Sequence, residues 1–206
     1  DVLATLFGVS EDWGAIRITA NSASLAIHGQ TSTAGPTGGS YGQSVPPSAS
    51  KDLVRNGLQH TIIGIREDVS FRTNLILANG TDQPLEVDVS LLSSGGLELG
   101  ARRVPLPPLG MTQLTQVVRQ LGIDQNLETA QLIVSTPTPG GSFAAYAALI
   151  DNVTNDPRTL TAQWRAAEFP YTWVLPSSAR APGVAGAFYT TDLTLTNTTQ
   201  APLDFN

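Results

Sequence analysis

Phe71-Arg-Thr-Asn-Leu-Ile-Leu-Ala-Asn-Gly-Thr-Asp-Gln-Pro-Leu-Glu-Val-Asp88 reads as two β-strands around a polar turn. Leu75 and Leu77, then Leu85, Val87, Val89 and Leu91, recur at every second position, which turns one apolar face of each strand inward. Asn79-Gly-Thr-Asp82 supplies the turn. The stretch recurs as Tyr189-Thr-Thr-Asp-Leu-Thr-Leu-Thr-Asn-Thr-Thr-Gln-Ala-Pro-Leu-Asp-Phe-Asn206. The offset is constant, 189 − 71 = 118, and sets Thr73 on Thr191, Leu75 on Leu193, Leu77 on Leu195, Asn79 on Asn197, Pro84 on Pro202 and Leu85 on Leu203. A period of that size is a whole domain and not a solenoid turn, so the chain reads as part of an array of all-β domains.

Outward from this stretch, two short helical turns bracket the pattern. Asp1 to Gly8 carries Val2, Leu3, Leu6 and Phe7 and ends in a glycine cap; Leu114 to Gly122 carries Leu114, Val117, Val118 and Leu121 on one face. Each is followed by an acidic turn and two predicted strands, Gly14–Thr19 and Ala23–His28 in the first copy, Ala130–Ser135 and Phe143–Ile150 in the second. The Gly-, Ser-, Thr- and Pro-rich residues from Thr31 to Ser50 predict a loop with a short strand around Tyr41. His60–Ile65 opens the next copy, Ser93-Ser-Gly-Gly96 turns the chain into a strand from Leu97 to Leu106, and Pro105, Pro107 and Pro108 end it. Thr159 to Trp164 is the expected closing strand, and Pro170, Pro176 and Pro182 mark a linker.

Overlaying the copies predicts three parts. Residues 57–164 form a complete unit, 1–56 match only its back half, and 165–206 are a linker and the front half of a further unit. Neither flank can bury its own strands, so the chain is expected to be a window on a longer tandem array or a subunit completed by its neighbours. Its start at Asp1, inside a structured segment, suggests a mature or excised piece.

Ala179-Arg-Ala-Pro-Gly183 with Tyr189 to Asn197, Asp1 to Gly8, Ser40-Tyr-Gly-Gln43, Phe71-Arg-Thr-Asn-Leu75, and Ala145-Tyr146 before Asp151-Asn152 resemble the paired Ig-like modules found near the C-termini of large secreted bacterial proteins. That resemblance implies Ig-like β-sandwich repeats with one short helical turn each, an extracellular or cell-surface location, and no catalysis of their own. Such modules follow a catalytic domain or occur in series on surface proteins. The chain departs from the family's order by starting in the middle of a pair.

Composition narrows the function classes. A net charge of −6 and a pI near 4.7 lack the basic footprint of a nucleic-acid binder. The longest apolar run, Ala144 to Ile150, is far too short to span a bilayer, and the absence of cysteine removes disulfides, thiolate metal sites and cysteine nucleophiles. Gly38-Gly-Ser-Tyr-Gly42 matches G-x-S-x-G, but Pro46-Pro47 follows where that motif needs a helix. His28 and His60 sit at strand positions without acidic neighbours and read as interface or solvent-facing side chains, and Glu67 with Asp68 lacks the aromatic platform of a glycosidase. No cofactor is expected. Asp151, Asn152, Asn155 and Asp156 offer oxygen ligands for calcium, though the same residues make an ordinary polar turn, the favoured reading. Asn79, Asn152 and Asn197 head glycosylation sequons in predicted exposed turns. Trp13, Trp164 and Trp173 read as core or domain-junction anchors.

The strongest expectation concerns the flanks. Val2, Leu3, Leu6, Phe7, Ile16 and Ile18 at one end and Leu193, Leu195, Leu203 and Phe205 at the other would sit in water, each forfeiting about 1.5–3 kcal/mol of burial. The chain is therefore expected to be a structural module that joins head to tail with copies of itself or adjacent repeats, as in a filament. The alternative is an accessory module of a secreted hydrolase whose end loops bind glycan or protein.

Overall fold

The computed structural model describes residues 1–21, 25–35, 38–164, 175–197 and Pro202. It divides into two units, Asp1–Trp164 and Arg165–Asn206.

The first unit starts with α1 (Val2–Phe7). The Asp1 carboxylate accepts from the Leu3 N–H at 2.9 Å, and Gly8 closes the helix at φ 66°, a left-handed cap suited to glycine. The strands expected over Gly14–Thr19 and Ala23–His28 are not formed: residues 14–20 and 25–28 join no ladder, and Ala23 lies outside the described residues. A strand needs a neighbour to take its backbone hydrogen bonds, and these segments have none within the described residues.

The short strand expected around Tyr41 forms as β2 (Ser40–Val45), and it pairs antiparallel with β1 (Gly29–Ala34), where only loop was expected. Gly42 lets them close, since a Cβ there would lie 2.5 Å from the Thr31 carbonyl oxygen. Neither strand holds a fully buried residue, so no apolar alternation marks them in the sequence.

The remaining elements follow as β3 (Val54–Arg55), β4 (Gln59–Glu67), β5 (Phe71–Asn79), β6 (Leu85–Ser93), β7 (Glu98–Leu106), β8 (Met111–Leu114), α2 (Val117–Gln120), β9 (Leu127–Ser135), β10 (Ser142–Asp151), β11 (Pro157–Thr161) and β12 (Gln163–Trp164). They build two five-stranded antiparallel sheets. One runs β11-β10-β5-β8 with β3 also on β10; the other runs β12-β4-β9-β6-β7. Leu75, Leu77 and Phe143 from the first sheet share one core with Ile62, Val87, Val89, Leu132 and Val134 from the second, all fully buried. The alternation that defines β6 in sequence appears as strict alternation of buried and half-buried positions from Leu85 to Leu91.

Two expectations in this region change. Leu114 does not lie on the helical turn; it ends β8, opposite Leu75. The closing strand is split: β11 pairs with β10 and β12 with β4, so the chain passes from one sheet to the other at Ala162, which packs against the core.

The second unit contains an antiparallel pair, β13 (Arg180–Pro182) and β14 (Phe188–Thr190). The strand expected through Leu193 and Leu195 is absent, since residues 191–197 join no ladder, and its predicted partner at Leu203 and Phe205 lies outside the described residues. Among the described residues no helix is long and apolar enough to cross a membrane.

Candidate assembly surface

Helix α1 and the segment behind it make an apolar cleft of about 210 Å³. Leu3, Phe7, Val9, Trp13, Ala15 and Ile16 line it, with Asp12 the one charged residue. Val2, Leu6, Phe7, Ile16 and Ile18 are exposed, Phe7 by 58 %, and Leu3 is half-buried. In the second unit Leu193 is 66 % and Leu195 58 % exposed. Leu203 and Phe205, also expected at the assembly surface, lie outside the described residues. Single exposed apolar side chains are ordinary, whereas a run of them around a concave site marks an interaction surface.

Sequence reasoning did not assign Val9 to this surface and gave Trp13 only as a core or domain-junction anchor; both line the cleft. Leu25 and Ile27 are also exposed. The signal was the position of Trp13 beside Gly14 in an otherwise polar turn. Trp13 and Trp164 were expected in a core or junction and are both more than half exposed, while Trp173 lies outside the described residues.

The candidate calcium turn is held by protein groups. Asp151 Oδ1 accepts from the Val153 and Thr154 N–H groups at 2.7 and 2.9 Å, which hold its carboxyl below the usual aspartate range. Arg72 donates to Asn152 Oδ1 at 2.8 Å and Asn155 Oδ1 at 3.0 Å, so a guanidinium takes the amide oxygens a cation would need. Asn152 Nδ2 donates onward to Val69 O at 3.2 Å, tying the turn after β10 to the turn after β4. Among the described residues no cluster of three His, Cys, Asp or Glu is placed to hold a metal.

Of the sequon asparagines, Asn79 is not in an exposed turn. It is 5 % exposed, its Nδ2 donates to Gln83 O and Pro107 O at 2.8 Å each, and its Oδ1 accepts from Thr81 N and Oγ1. An asparagine whose short side chain turns back on its own loop is a turn device, the same property that favours it in turns generally. Asn152 and Asn197 are exposed.

The remaining candidates for chemistry are spread out. Ser40 begins β2 and is exposed, with strand and not helix after it. His28 is exposed outside any strand, while His60 faces inward, contrary to expectation: it is 5 % exposed, and burial lowers its pKa, partly countered by Asp52. Glu67 is 2 % exposed and accepts from the N–H groups of Val118 and Arg119 at 3.3 and 3.2 Å, pinning α2 onto the sheets. Burial raises its pKa, and those bonds and the Arg119 guanidinium partly offset the rise. Asp68 accepts from Ser70 N, Phe71 N and Arg66 Nε, so both carboxylates serve the architecture.

No protein-family model matches the chain, and no curated protein matches it. Among solved structures, the one described as "Crystal Structure of Thermotoga maritima 1070" is similar to it at 13 % identity and a TM-score of 0.40, over 52 % of this chain and 90 % of that one.

Proposed function

We propose that this chain is a non-catalytic structural module of an extracellular surface protein or fibre, built from Ig-like β-sandwich repeats and joined head to tail where the flank of one copy completes that of the next. One observation carries the reading: the flanks that match the back and front halves of a repeat keep their core-type residues, Phe7, Ile16 and Ile18 on one and Leu193 and Leu195 on the other, exposed. Their counterparts inside the two-sheet unit, such as Leu121, Leu132, Val134, Leu75 and Leu77, are buried. Pairing of this kind satisfies edge hydrogen bonds together with an apolar face. It is a heterologous contact, which propagates into a filament unless it closes into a ring.

Analytical ultracentrifugation over a hundredfold concentration range tests this. The chain should form a series of multimers, and Ile16→Asp or Leu193→Asp should each return it to monomer. A monomer at every concentration defeats the proposal.

A second reading, an accessory glycan- or protein-binding module of a secreted bacterial hydrolase, draws on Val69 and Val153. They are 84 % and 86 % exposed on two adjacent turns joined through Asn152. Retention on a glycan array that Val153→Asp abolishes would favour it.

A further inference from the structure

We propose that the cleft beside α1 receives Leu193 and Leu195 of a second copy of the chain, laid across the helix as an extended strand. This rests on the head-to-tail reading and adds its register. The two-sheet unit already holds the same contact once, within itself. There α2 and the residue after it present Val117, Val118 and Leu121, all buried, and α2 packs on β5, whose Leu75 and Leu77 are fully buried. Counted back from the glycine that ends each helical turn, Gly122 and Gly8, the residues matching Val117, Val118 and Leu121 are Leu3, Ala4 and Phe7. By the 118-residue offset, those matching Leu75 and Leu77 are Leu193 and Leu195. Both halves of one contact are therefore present, and Phe7, Leu193 and Leu195 all face solvent.

Size and charge agree with that occupant. The cleft holds about 210 Å³, while truncating one buried leucine opens a cavity on the order of 150 Å³, so the cleft takes one leucine whole and part of another. Leu193 and Leu195 alternate with Thr194 and Thr196, so an extended backbone turns both leucines to one face and brings no charge of its own into the cleft, whose one charged residue is Asp12.

The chain has no cysteine, so single-cysteine variants report one position each. Phe7→Cys and Leu195→Cys, prepared as separate proteins, are mixed in equal amounts and mildly oxidised, so that a bond between the two positions must join two molecules. Asp12→Cys replaces Phe7→Cys in a parallel sample, which keeps every apolar side chain of the cleft. Val153→Cys, on an exposed turn, is the control. The mixed disulfide should exceed the Phe7→Cys and Leu195→Cys homodimers and the Val153→Cys pairs by at least fivefold. A mixed disulfide no more abundant than the control pairs overturns the register. Sedimentation of the unmodified chain at the same concentration separates the causes: association without the mixed bond defeats this contact and leaves the head-to-tail reading standing, whereas a monomer defeats both.

Discussion

Leu77 and Asn79 lie two residues apart at the end of β5 and stabilise the unit in different ways. Leu77 is fully buried in the shared core, so Leu77→Ala removes transfer energy and leaves a cavity; urea denaturation should show a loss of about 2–5 kcal/mol. Asn79 spends its side chain on four hydrogen bonds, three within its own turn and one to Pro107 O in the loop after β7. Asn79→Ala removes all four bonds from a residue that is 5 % exposed and should cost about 1–3 kcal/mol, and a loss below about 0.5 kcal/mol, the range of an exposed site, would refute that role. Glu67 gives a pH signature. Burial raises its pKa in the folded chain above the ordinary value of 4.5, so the folded state holds the proton more tightly and Glu67 favours folding most below that pH. That contribution is lost as pH rises through the folded pKa. The stability of the native chain minus that of Glu67→Gln should therefore fall as pH is raised from below 4.5 to neutral; a flat difference contradicts it. Leu77 was legible from its period-2 spacing. The inward turn of Asn79 was not, because a polar turn residue looks the same in sequence whether it faces water or its own loop.

At the scale of elements, the strands with one buried face announce themselves. β5, β6, β9 and β10 carry apolar residues at alternate or continuous positions because each contributes to the core. β1 and β2 are open to solvent on most positions, so Ser, Thr, Gln and Gly satisfy them and the stretch reads as a loop apart from the short strand around Tyr41. The sheet switch between β11 and β12 is silent for another reason: both halves have strand composition, and only the tertiary pairing decides which sheet each joins. Gly42 gives a direct check on the hairpin. Gly42→Val places side-chain atoms against the Thr31 backbone and should abolish hydrogen-exchange protection over residues 29–45 while β4 to β10 keep theirs. Unchanged protection in the hairpin would show that the close approach is not required. The strands expected over 14–19, 23–28 and 191–197 do not form among the described residues, because alternating apolar residues favour a strand only where a neighbour takes its backbone hydrogen bonds.

At the scale of the whole molecule, the two-sheet region differs from residues 1–20 and 189–197 in burial. Its core draws on both sheets, and among the described residues no buried side-chain polar atom lacks a hydrogen bond. Residues 54–164, which include the β3 strand paired to β10, should fold alone and melt in one cooperative transition by circular dichroism; a coil-like spectrum would contradict it. The flanks have the opposite character, with Phe7, Trp13, Ile16, Ile18, Leu193 and Leu195 facing solvent. The apolar spacing of the flanks was legible in the sequence, and the structure leaves Phe7, Ile16, Ile18, Leu193 and Leu195 exposed. The cleft was not legible, because it is made by the packing of Trp13 and Val9 against α1 and not by any spacing. The central claim is that these two surfaces complete one another between copies. Hydrogen exchange measured as a function of protein concentration tests it most directly: residues 1–20 and 189–197 should gain protection together as concentration rises, and Leu195→Asp should remove it from both. Exchange in both segments that stays fast and identical at every concentration would contradict the account.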